Sequence, residues 1–384
     1  MKKGNKVFKK ILQFVLLVGI LSSCYEQKTL EQLFEERASG VVVILNEFYY
    51  ELGLPNGNKV YFTGIDSDGN LENFTPDEEQ IKKICQIMTG TGFFIDDKGT
   101  IMTNRHVAQP QLDKAQAKTA YIELIKSVKS FLALSLSQMQ EQYTDLERQR
   151  ENSYVYNPYT GDAYYDLDRI NSIDQKKAEI EETYNELNDT YDGLNGLTDP
   201  SALKISVISQ IGIAYNDTYV TNKDDFLKNN ACVVSKISSK DDVDLALIQL
   251  KNKTTPANAY IFDISGNKDN SESLITQIRE LIMSNKESKE LKINQDLYMI
   301  GYNAGLVLGT TRQGIKVQMT TGKLTQLPDG QRLLYSIPTV QGSSGSPVID
   351  AFGNFVGVNY AKFTGSDNFN FGIPSKKVLS FYNE

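Results

Sequence analysis

The feature that most constrains the fold is a series of short β-rich segments, interrupted once by a long stretch of helical periodicity. Segments such as 40–52 and 231–238 are rich in β-branched and aromatic residues, and Asp, Asn and Gly lie between segments of this kind. Many short strands separated by turns are typical of a β-barrel or a β-sandwich. We therefore predict a mainly β protein into which the periodic stretch is inserted.

The periodic stretch covers residues 110–200 and predicts two antiparallel helices. In its second half, the apolar positions alternate steps of three and four, the pattern of a coiled-coil seam in which only Lys177 is out of character. The seam comprises Ile170, Ile173, Lys177, Ile180, Tyr184, Leu187, Tyr191 and Leu194. A looser apolar stripe precedes the turn-forming residues 157–162. We expect a helical hairpin, which is either a solvated structural insertion or a surface for self-association or for a partner.

Composition excludes several kinds of site. The chain has 48 acidic and 40 basic residues, a formal charge of −8, which disfavours binding to nucleic acids. One histidine and three scattered cysteines are too few for the usual zinc or iron–sulfur sites, so we expect no metal and no cofactor. Cys85 and Cys232 either form a disulfide or are two small buried side chains. If the protein uses an imidazole base, that base must be His106.

The first 23 residues have the pattern of a secretory signal peptide. Lysines precede an apolar run over residues 11–21, which is too short to span a membrane as a stable helix. The run ends in the sequence LSSC, which resembles the lipobox of bacterial lipoproteins. In that family the cysteine is acylated and becomes the first mature residue. The resemblance implies a lipid on Cys24 and an anchor in the bacterial cell envelope. Because Tyr25 stands where an aspartate is linked to retention at the inner membrane, we expect the outer membrane, on its periplasmic or surface face.

Three short motifs occur in the order histidine, aspartate, serine. His106 lies in TNRHV after a predicted strand, Asp244 begins the apolar run DLALI, and Ser344 lies in GSSGSP between strand-like segments. A serine flanked by glycines is suited to nucleophilic catalysis, because glycine lets the backbone fold into a concave turn whose N–H groups converge on an oxyanion. A histidine that takes the serine proton and an aspartate that orients the imidazole complete such a site.

Together these motifs resemble those of bacterial trypsin-like serine peptidases, which have the chymotrypsin fold. Their order matches that fold and differs from the orders in subtilisins and α/β-hydrolases. The strand before His106 and the last strands of the chain resemble HtrA/Deg proteases, whereas the sequence SGSPV that begins at Ser344 is closer to glutamyl endopeptidases. The resemblance covers residues 40–108 and 203–381. It implies a double β-barrel with His106, Asp244 and Ser344 as the catalytic triad.

The resemblance also implies an oxyanion hole and a pocket for the P1 side chain. The N–H groups of Gly342 and Ser344 are expected to form the oxyanion hole. Trypsin-type specificity needs an acid at the pocket base, where this chain has Pro338, and glutamyl endopeptidases use a pocket histidine where this chain has Asn359. We therefore expect neither Arg/Lys nor Glu at P1, and instead an apolar residue. The side chains expected to line the pocket are Pro338, Asn359, Tyr360, Ala361 and Phe371.

These inferences divide the chain into six parts. They are a lipoprotein signal peptide (1–23), a first-barrel part with the histidine (24–109), the helical hairpin (110–200), the rest of the first barrel with the aspartate (201–262), a short helical insertion (263–296), and a second barrel with the serine and a C-terminal helix (297–384). Few residues follow the last predicted strand, so we expect no PDZ domain.

The sequence thus predicts a lipid-anchored serine endopeptidase of the cell envelope that acts on protein or peptide substrates. The alternative is a catalytically weak or inactive scaffold of the same fold. In that case the protein would be a binding or quality-control factor that acts through its acidic hairpin.

Overall fold

The computed structural model describes residues 29–265, 291–362 and 369–384. Two compact units are present. Among these residues, the first unit contains those up to Phe48, Ile87–Gln111 and those from Ser209 onward, and the second contains Tyr49–Gln86 and Leu112–Ile208. The predicted signal peptide with Cys24, and most of the predicted helical insertion at 263–296, lie outside the described residues.

The described part of the chain is mainly β, as predicted. The strands are β1 (Val41–Gly53), β2 (Lys59–Phe62), β3 (Gly64–Ile65), β4 (Leu71–Glu72), β5 (Gln86–Phe94), β6 (Thr100–Thr103), β7 (Tyr154–Tyr156), β8 (Ala163–Tyr165), β9 (Lys204–Tyr215), β10 (Ala231–Ile237), β11 (Ala246–Leu250), β12 (Asp296–Gly301), β13 (Thr310–Thr311), β14 (Gly314–Ile315), β15 (Gln318–Gln326), β16 (Leu333–Tyr335), β17 (Pro347–Asp350), β18 (Phe355–Lys362) and β19 (Asn370–Pro374). The helices are α1 (Leu30–Ala38), α2 (Glu78–Lys83), α3 (Arg105–Ala108), α4 (Lys114–Glu151), α5 (Leu167–Gly193), α6 (Asp224–Leu227), α7 (Leu306–Gly309) and α8 (Ser375–Asn383).

Two closed six-stranded rings confirm the predicted double β-barrel. The first has the order β1-β5-β6-β11-β10-β9 and closes where β9 pairs with β1. The second has the order β12-β15-β16-β19-β18-β17 and closes where β17 pairs with β12. In the first barrel, the antiparallel pairing of β6 with β11 sets Thr103 opposite Ala246. This register brings the chain before His106 next to the chain after Asp244.

The period-two pattern of the strands separates three hydrophobic clusters within the first unit. Along β1, Val42 belongs to the interior of the first barrel, whereas Val41 and Val43 join a second cluster that also contains Tyr298 of β12. Successive side chains of a strand point to opposite faces, so one strand supplies both clusters. The interior of the second barrel forms the third cluster, which comprises Leu297, Met299, Leu324, Leu333, Tyr335, Ile337, Val348 and Val356. Full burial of one such side chain stabilises the fold by about 1.5–3 kcal/mol.

The second unit contains the predicted helical hairpin. Asp113 caps α4 by accepting hydrogen bonds from the N–H groups of Ala115 and Gln116, and Asp166 caps α5 in the same way through Arg169. Between the helices, β7 and β8 form a two-stranded ribbon, which sequence reasoning treated only as a turn. Its five tyrosines are exposed and comprise Tyr154, Tyr156, Tyr159, Tyr164 and Tyr165.

The predicted seam of α5 is the face that contacts α4. Ile173 is buried, and the other seven seam residues are half-buried, including Lys177. The Lys177 ammonium lies 4.5 Å from the centroid of the Tyr143 ring and 3.1 Å from a carboxylate oxygen of Glu147, both on α4. A cation on an aromatic face is attracted by the ring quadrupole, and the aliphatic stem packs like an apolar side chain. Lysine therefore occupies a seam position without being left unpaired.

The two units differ from the predicted domain boundaries at residues 49–86. Sequence reasoning assigned this segment to the first barrel, whereas it groups with the hairpin in the structure. The Phe74 ring packs on Tyr121 of α4 at a centroid separation of 6.2 Å, and Tyr121 is 1% exposed. Side-chain contacts of this kind, made by residues far apart in the sequence, carry no periodic signal in the sequence.

The structure also bears on the pairing of the cysteines and on membrane-spanning helices. Cys232 is a free thiol, buried in the first barrel, so it does not form the disulfide with Cys85 that the sequence left open. Across the described ranges, no helix is both long enough and apolar enough to cross a membrane.

Candidate active site

The candidate site begins at His106 and Asp244, which are joined by two hydrogen bonds. His106 Nδ1 lies 2.6 Å from Asp244 Oδ2, and the His106 backbone N–H donates to Asp244 Oδ1 at 3.0 Å. An ionised carboxylate can only accept, so the proton is assigned to Nδ1, and in the neutral form of the imidazole Nε2 is then the acceptor. The side chains of His106 and Asp244 are 31% and 19% exposed, respectively. The pair is therefore oriented by the fold and still reachable from solvent.

The two residues before His106 hold the segment that carries Asp244. Asn104 Nδ2 donates to the carbonyl of Asp244 at 2.8 Å. The Arg105 guanidinium donates to the carbonyls of Ser238, Lys240 and Asp241 at 3.3–3.4 Å. The histidine segment and the aspartate segment thus act as one assembly. Sequence reasoning missed Asn104 and Arg105, although both are adjacent to the motif residue.

Ser344 lies in the loop between β16 and β17. Gly342 lies two residues before it and Gly345 directly after it. Gly342 has φ 97° and Gly345 has φ 88°, values that L-residues rarely adopt. A Cβ at Gly342 would lie 2.2 Å from the backbone nitrogen of Gly305, and one at Gly345 would lie 2.1 Å from the carbonyl oxygen of Thr91. Both glycines are therefore required by conformation and by space.

The N–H groups of this loop fall into two sets. Those of Ser343, Gly345 and Ser346 donate to the carbonyls of Val340, Asn359 and Ser343, respectively. Those of Gly342 and Ser344 have no acceptor among the residues that the structure describes. The two N–H groups predicted to form an oxyanion hole are thus the two without an acceptor in the described part of the loop's surroundings, Gly342 itself being buried and Ser344 half-buried.

Ser344 itself is half-buried. Over the described residues, no hydrogen bond joins its Oγ to His106. In unliganded hydrolases this bond is often long and tightens only when substrate binds. The two halves of the site are nevertheless connected through the backbone. The N–H of Thr91 donates to the carbonyl of Ser344 at 2.8 Å, and Thr103, three residues before His106, donates its hydroxyl to the carbonyl of Thr91 at 2.7 Å.

The structure places the predicted pocket residues in different environments. Pro338 is exposed, and Tyr360 and Phe371 are half-buried with their ring centroids 6.3 Å apart. Burial is the main cause that raises the pKa of the Tyr360 phenol, so this side chain stays neutral. The Arg332 guanidinium lies 4.9 Å from the centroid of the Phe371 ring. Ala361 lies in β18, and its side chain is outside those that the structure describes.

The side chain of Asn359 is placed differently from what the sequence predicts. It was predicted to line the pocket, but its side chain has no exposed surface. Its Nδ2 donates to the Ser343 carbonyl at 3.0 Å, and its Oδ1 accepts from the hydroxyls of Tyr335 and Thr339 at 2.8 and 3.2 Å. A buried amide must satisfy its donors and acceptors internally, and this one does so beneath the nucleophile loop. The Asn359 side chain therefore presents no surface to a pocket in this structure.

The structure explains how Ser346, two residues after Ser344, fits into the loop. Its side chain is fully buried. A Cβ placed on Gly301 of β12 would lie 1.9 Å from Ser346 Oγ. The absence of a side chain at residue 301 therefore supplies the space that the serine occupies.

The described residues contain no group of three or more His, Cys, Asp or Glu side chains that could hold a metal ion.

A family model described as trypsin-like peptidase domain matches residues 212–358, a segment that includes Asp244 and Ser344 but not His106. No curated protein matches the chain. The chain is similar to the crystal structure of the serine endoprotease from Yersinia pestis, with 12% sequence identity and a TM-score of 0.39, over 93% of this chain and 66% of that one.

Proposed function

We propose that the protein is a serine endopeptidase whose triad is His106, Asp244 and Ser344. The observation that carries the proposal is the double hydrogen bond between His106 and Asp244, at 2.6 and 3.0 Å, because it assigns the Nδ1 proton and leaves Nε2 as a base. The loop with Ser344 supports it, since the N–H groups of Gly342 and Ser344 have no acceptor among the described residues. The match to a trypsin-like peptidase domain supports the same reaction class.

Peptide hydrolysis proceeds in two steps, the formation of an acyl-enzyme and its hydrolysis. Ser344 Oγ forms a bond to the carbon of a peptide carbonyl while its proton passes to His106 Nε2. The carbon–nitrogen bond then breaks, the proton goes to the leaving amine, and an acyl-enzyme remains. Water then attacks the acyl carbon while losing a proton to His106, the bond between that carbon and Ser344 Oγ breaks, and His106 returns the proton to Ser344 Oγ, which releases the acid. Throughout, Asp244 holds the imidazole tautomer and stabilises the imidazolium.

The oxyanion is received by the N–H groups of Gly342 and Ser344. Such donors act mainly on the transition state, because negative charge develops on the carbonyl oxygen only as the bond forms. Removal of one donor of this kind typically costs about 2.7–4 kcal/mol of barrier. The two positive-φ glycines of the loop therefore contribute to the rate as well as to the fold.

For specificity, we propose an apolar P1 residue. Tyr360 and Phe371 supply aromatic surface, and the guanidinium of Arg332 over the Phe371 ring disfavours another cation nearby. The buried amide of Asn359 is saturated by its own partners and offers nothing to a glutamate side chain. A peptide-library cleavage profile tests this point, and a profile dominated by Arg, Lys or Glu at P1 would contradict it.

We also propose that a lipid on Cys24 anchors the protein in the bacterial cell envelope, at the outer membrane. The support is the LSSC sequence at the end of a short apolar run. Metabolic labelling with a radioactive fatty acid, compared between wild type and Cys24→Ala, tests the anchor. Equal label in the two proteins would contradict it.

The second candidate is a binding scaffold of the same fold that acts through its hairpin, alone or with a second copy. The observation that favours it is the exposed tyrosine ribbon of β7 and β8, because exposed tyrosines are frequent in protein interfaces. Labelling with a fluorophosphonate separates the two candidates. Covalent labelling of Ser344 in the wild type, lost in Ser344→Ala and in His106→Ala, supports the peptidase. No labelling of the folded wild-type protein supports the scaffold.

A further inference from the structure

Three consecutive carbonyl groups of the nucleophile loop are each held by a hydrogen-bond donor from outside the loop. Thr91 Oγ1 donates to the Gly342 carbonyl at 2.8 Å, Asn359 Nδ2 donates to the Ser343 carbonyl at 3.0 Å, and the Thr91 N–H donates to the Ser344 carbonyl at 2.8 Å. Thr91 and Asn359 are both 0% exposed. Two buried side chains and one backbone group thus determine the orientation of three successive peptide planes.

The middle bond acts directly on the oxyanion hole. A peptide group is planar and trans, so its C=O and N–H point in opposite directions. The Ser343 carbonyl and the Ser344 N–H belong to the same peptide group. When Asn359 holds the carbonyl, it therefore also sets the direction of the Ser344 N–H, one of the two predicted oxyanion donors.

Asn359 is itself fixed by its surroundings. The Ser343 carbonyl can only accept, so the amide NH₂ must face it and Oδ1 must face the hydroxyls of Tyr335 and Thr339. The backbone of Asn359 adds two more bonds to the same loop. Its carbonyl accepts from Gly345 and its N–H donates to Ser346, both at 2.9 Å. The amide has little freedom to move away from the loop.

Thr91 is fixed from the other side. Its Oγ1 accepts from the N–H of Tyr302 at 3.0 Å, which leaves the hydroxyl proton to be donated to Gly342. Its own carbonyl accepts from the Thr103 hydroxyl at 2.7 Å. Thr91 lies on β5 of the first barrel and Gly342 lies in the second barrel. Thr91 therefore holds the 342–343 and 344–345 peptide groups, on either side of the group that carries the Ser344 N–H, against the strand that leads to His106.

We propose that Thr91 and Asn359 are positioning residues of the oxyanion hole, which they hold in the orientation that receives a developing negative charge. The inference rests on the proposed peptidase function. Neither residue touches the reacting atoms. Removal of Asn359 frees the 343–344 peptide group directly, and removal of the Thr91 hydroxyl frees the adjacent 342–343 group, so that the Ser344 N–H no longer keeps the direction in which it converges with that of Gly342.

The test compares Thr91→Val, Thr91→Ser and Asn359→Leu with the control Thr255→Val. Thr255 is a matched buried threonine of the first unit, 8% exposed, whose hydroxyl also makes two hydrogen bonds, to Asp96 at 2.6 Å and from Gly99 at 2.9 Å. With fluorescein-labelled casein, we expect kcat to fall about 10-fold in Thr91→Val and about 10- to 100-fold in Asn359→Leu, with KM within about threefold of wild type, since loss of a whole donor costs about 10²–10³. Thr91→Ser keeps the hydroxyl and should restore kcat to within about threefold. The control Thr255→Val should also have a kcat within about threefold of wild type.

A second measurement does not depend on activity. Amide hydrogen exchange of a fragment that contains residues 342–346 should be faster in Thr91→Val and Asn359→Leu than in wild type and in Thr255→Val. An unchanged kcat, or exchange as slow as in the wild type, would overturn the positioning role. A folded wild type that neither cleaves casein nor reacts with fluorophosphonate would overturn the peptidase function instead, and the exchange comparison would still decide whether the two residues hold the loop.

Discussion

His106 and Asp244 are bound to each other through two atoms of each residue: ring nitrogen and backbone N–H on one side, both carboxylate oxygens on the other, at 2.6 and 3.0 Å. The second bond matters because it ties the backbone of the histidine to the same carboxylate. The carboxylate is therefore held against the His106 backbone, and the imidazole cannot turn without losing its hydrogen bond to Asp244 Oδ2.

Asp244→Asn should lower kcat by about 10⁴-fold while the protein remains folded. The amide oxygen can still accept from the His106 backbone N–H, but an amide NH₂ facing Nδ1 stabilises the tautomer in which Nε2 carries the proton. Nε2 then already carries a proton and cannot accept one from Ser344. Steady-state kinetics together with near-UV circular dichroism provide the measurement. A variant within about tenfold of wild type would show that Asp244 does not orient the base.

Gly301→Ala should destabilise the protein by about 1–3 kcal/mol, because a Cβ there would lie 1.9 Å from Ser346 Oγ. Ser346→Gly removes that oxygen, so the double variant Gly301→Ala/Ser346→Gly should recover most of the loss. Urea denaturation of the wild type, both single variants and the double variant gives the coupling energy. Additive effects would mean that the two positions do not share this space.

The Cys232 thiol should resist alkylation in the folded protein. Burial raises its pKa to about 12, so at pH 8 only about one molecule in 10⁴ carries the reactive thiolate. Mass spectrometry after iodoacetamide treatment should show Cys232 unmodified in buffer and modified in urea. Modification at equal rates in both conditions would contradict the buried position.

The stability of the protein should fall at alkaline pH in part because of Tyr335. Burial raises the pKa of this phenol well above its ordinary value of 10.0. A group whose pKa is raised on folding stabilises the protein fully below the pKa of the unfolded chain. It loses that contribution as pH rises above about 10, at about 1.4 kcal/mol per pH unit.

The matched comparison is Tyr335→Phe, which loses the hydrogen bond to Asn359 and is less stable at neutral pH. Its urea midpoint should nevertheless fall less steeply than that of the wild type between pH 9.5 and 11. Parallel slopes for the two proteins would mean that Tyr335 does not titrate on unfolding.

Much of the fold follows from local patterns in the sequence. The β-branched and aromatic residues of segment 40–52 predicted a strand, and the seam from Ile170 to Leu194 predicted a helix packed along one side. The ribbon of β7 and β8 was missed, because its tyrosines are exposed and show no buried face. The grouping of residues 49–86 with the hairpin has no counterpart in the sequence prediction, because packing such as that of Phe74 on Tyr121 has no local signature.

By itself the sequence determined the kinds of residue and their order: one histidine, followed by an aspartate and by a serine between glycines, on segments that alternate like strands. Only the tertiary structure decided which groups meet. Thr91 and Gly342 are 251 positions apart and Asn104 and Asp244 are 140 apart, yet each pair is joined at 2.8 Å. Hydrogen bonds require heavy atoms within about 3 Å and in alignment. That condition depends on barrel closure and strand register, and motif spacing does not contain it.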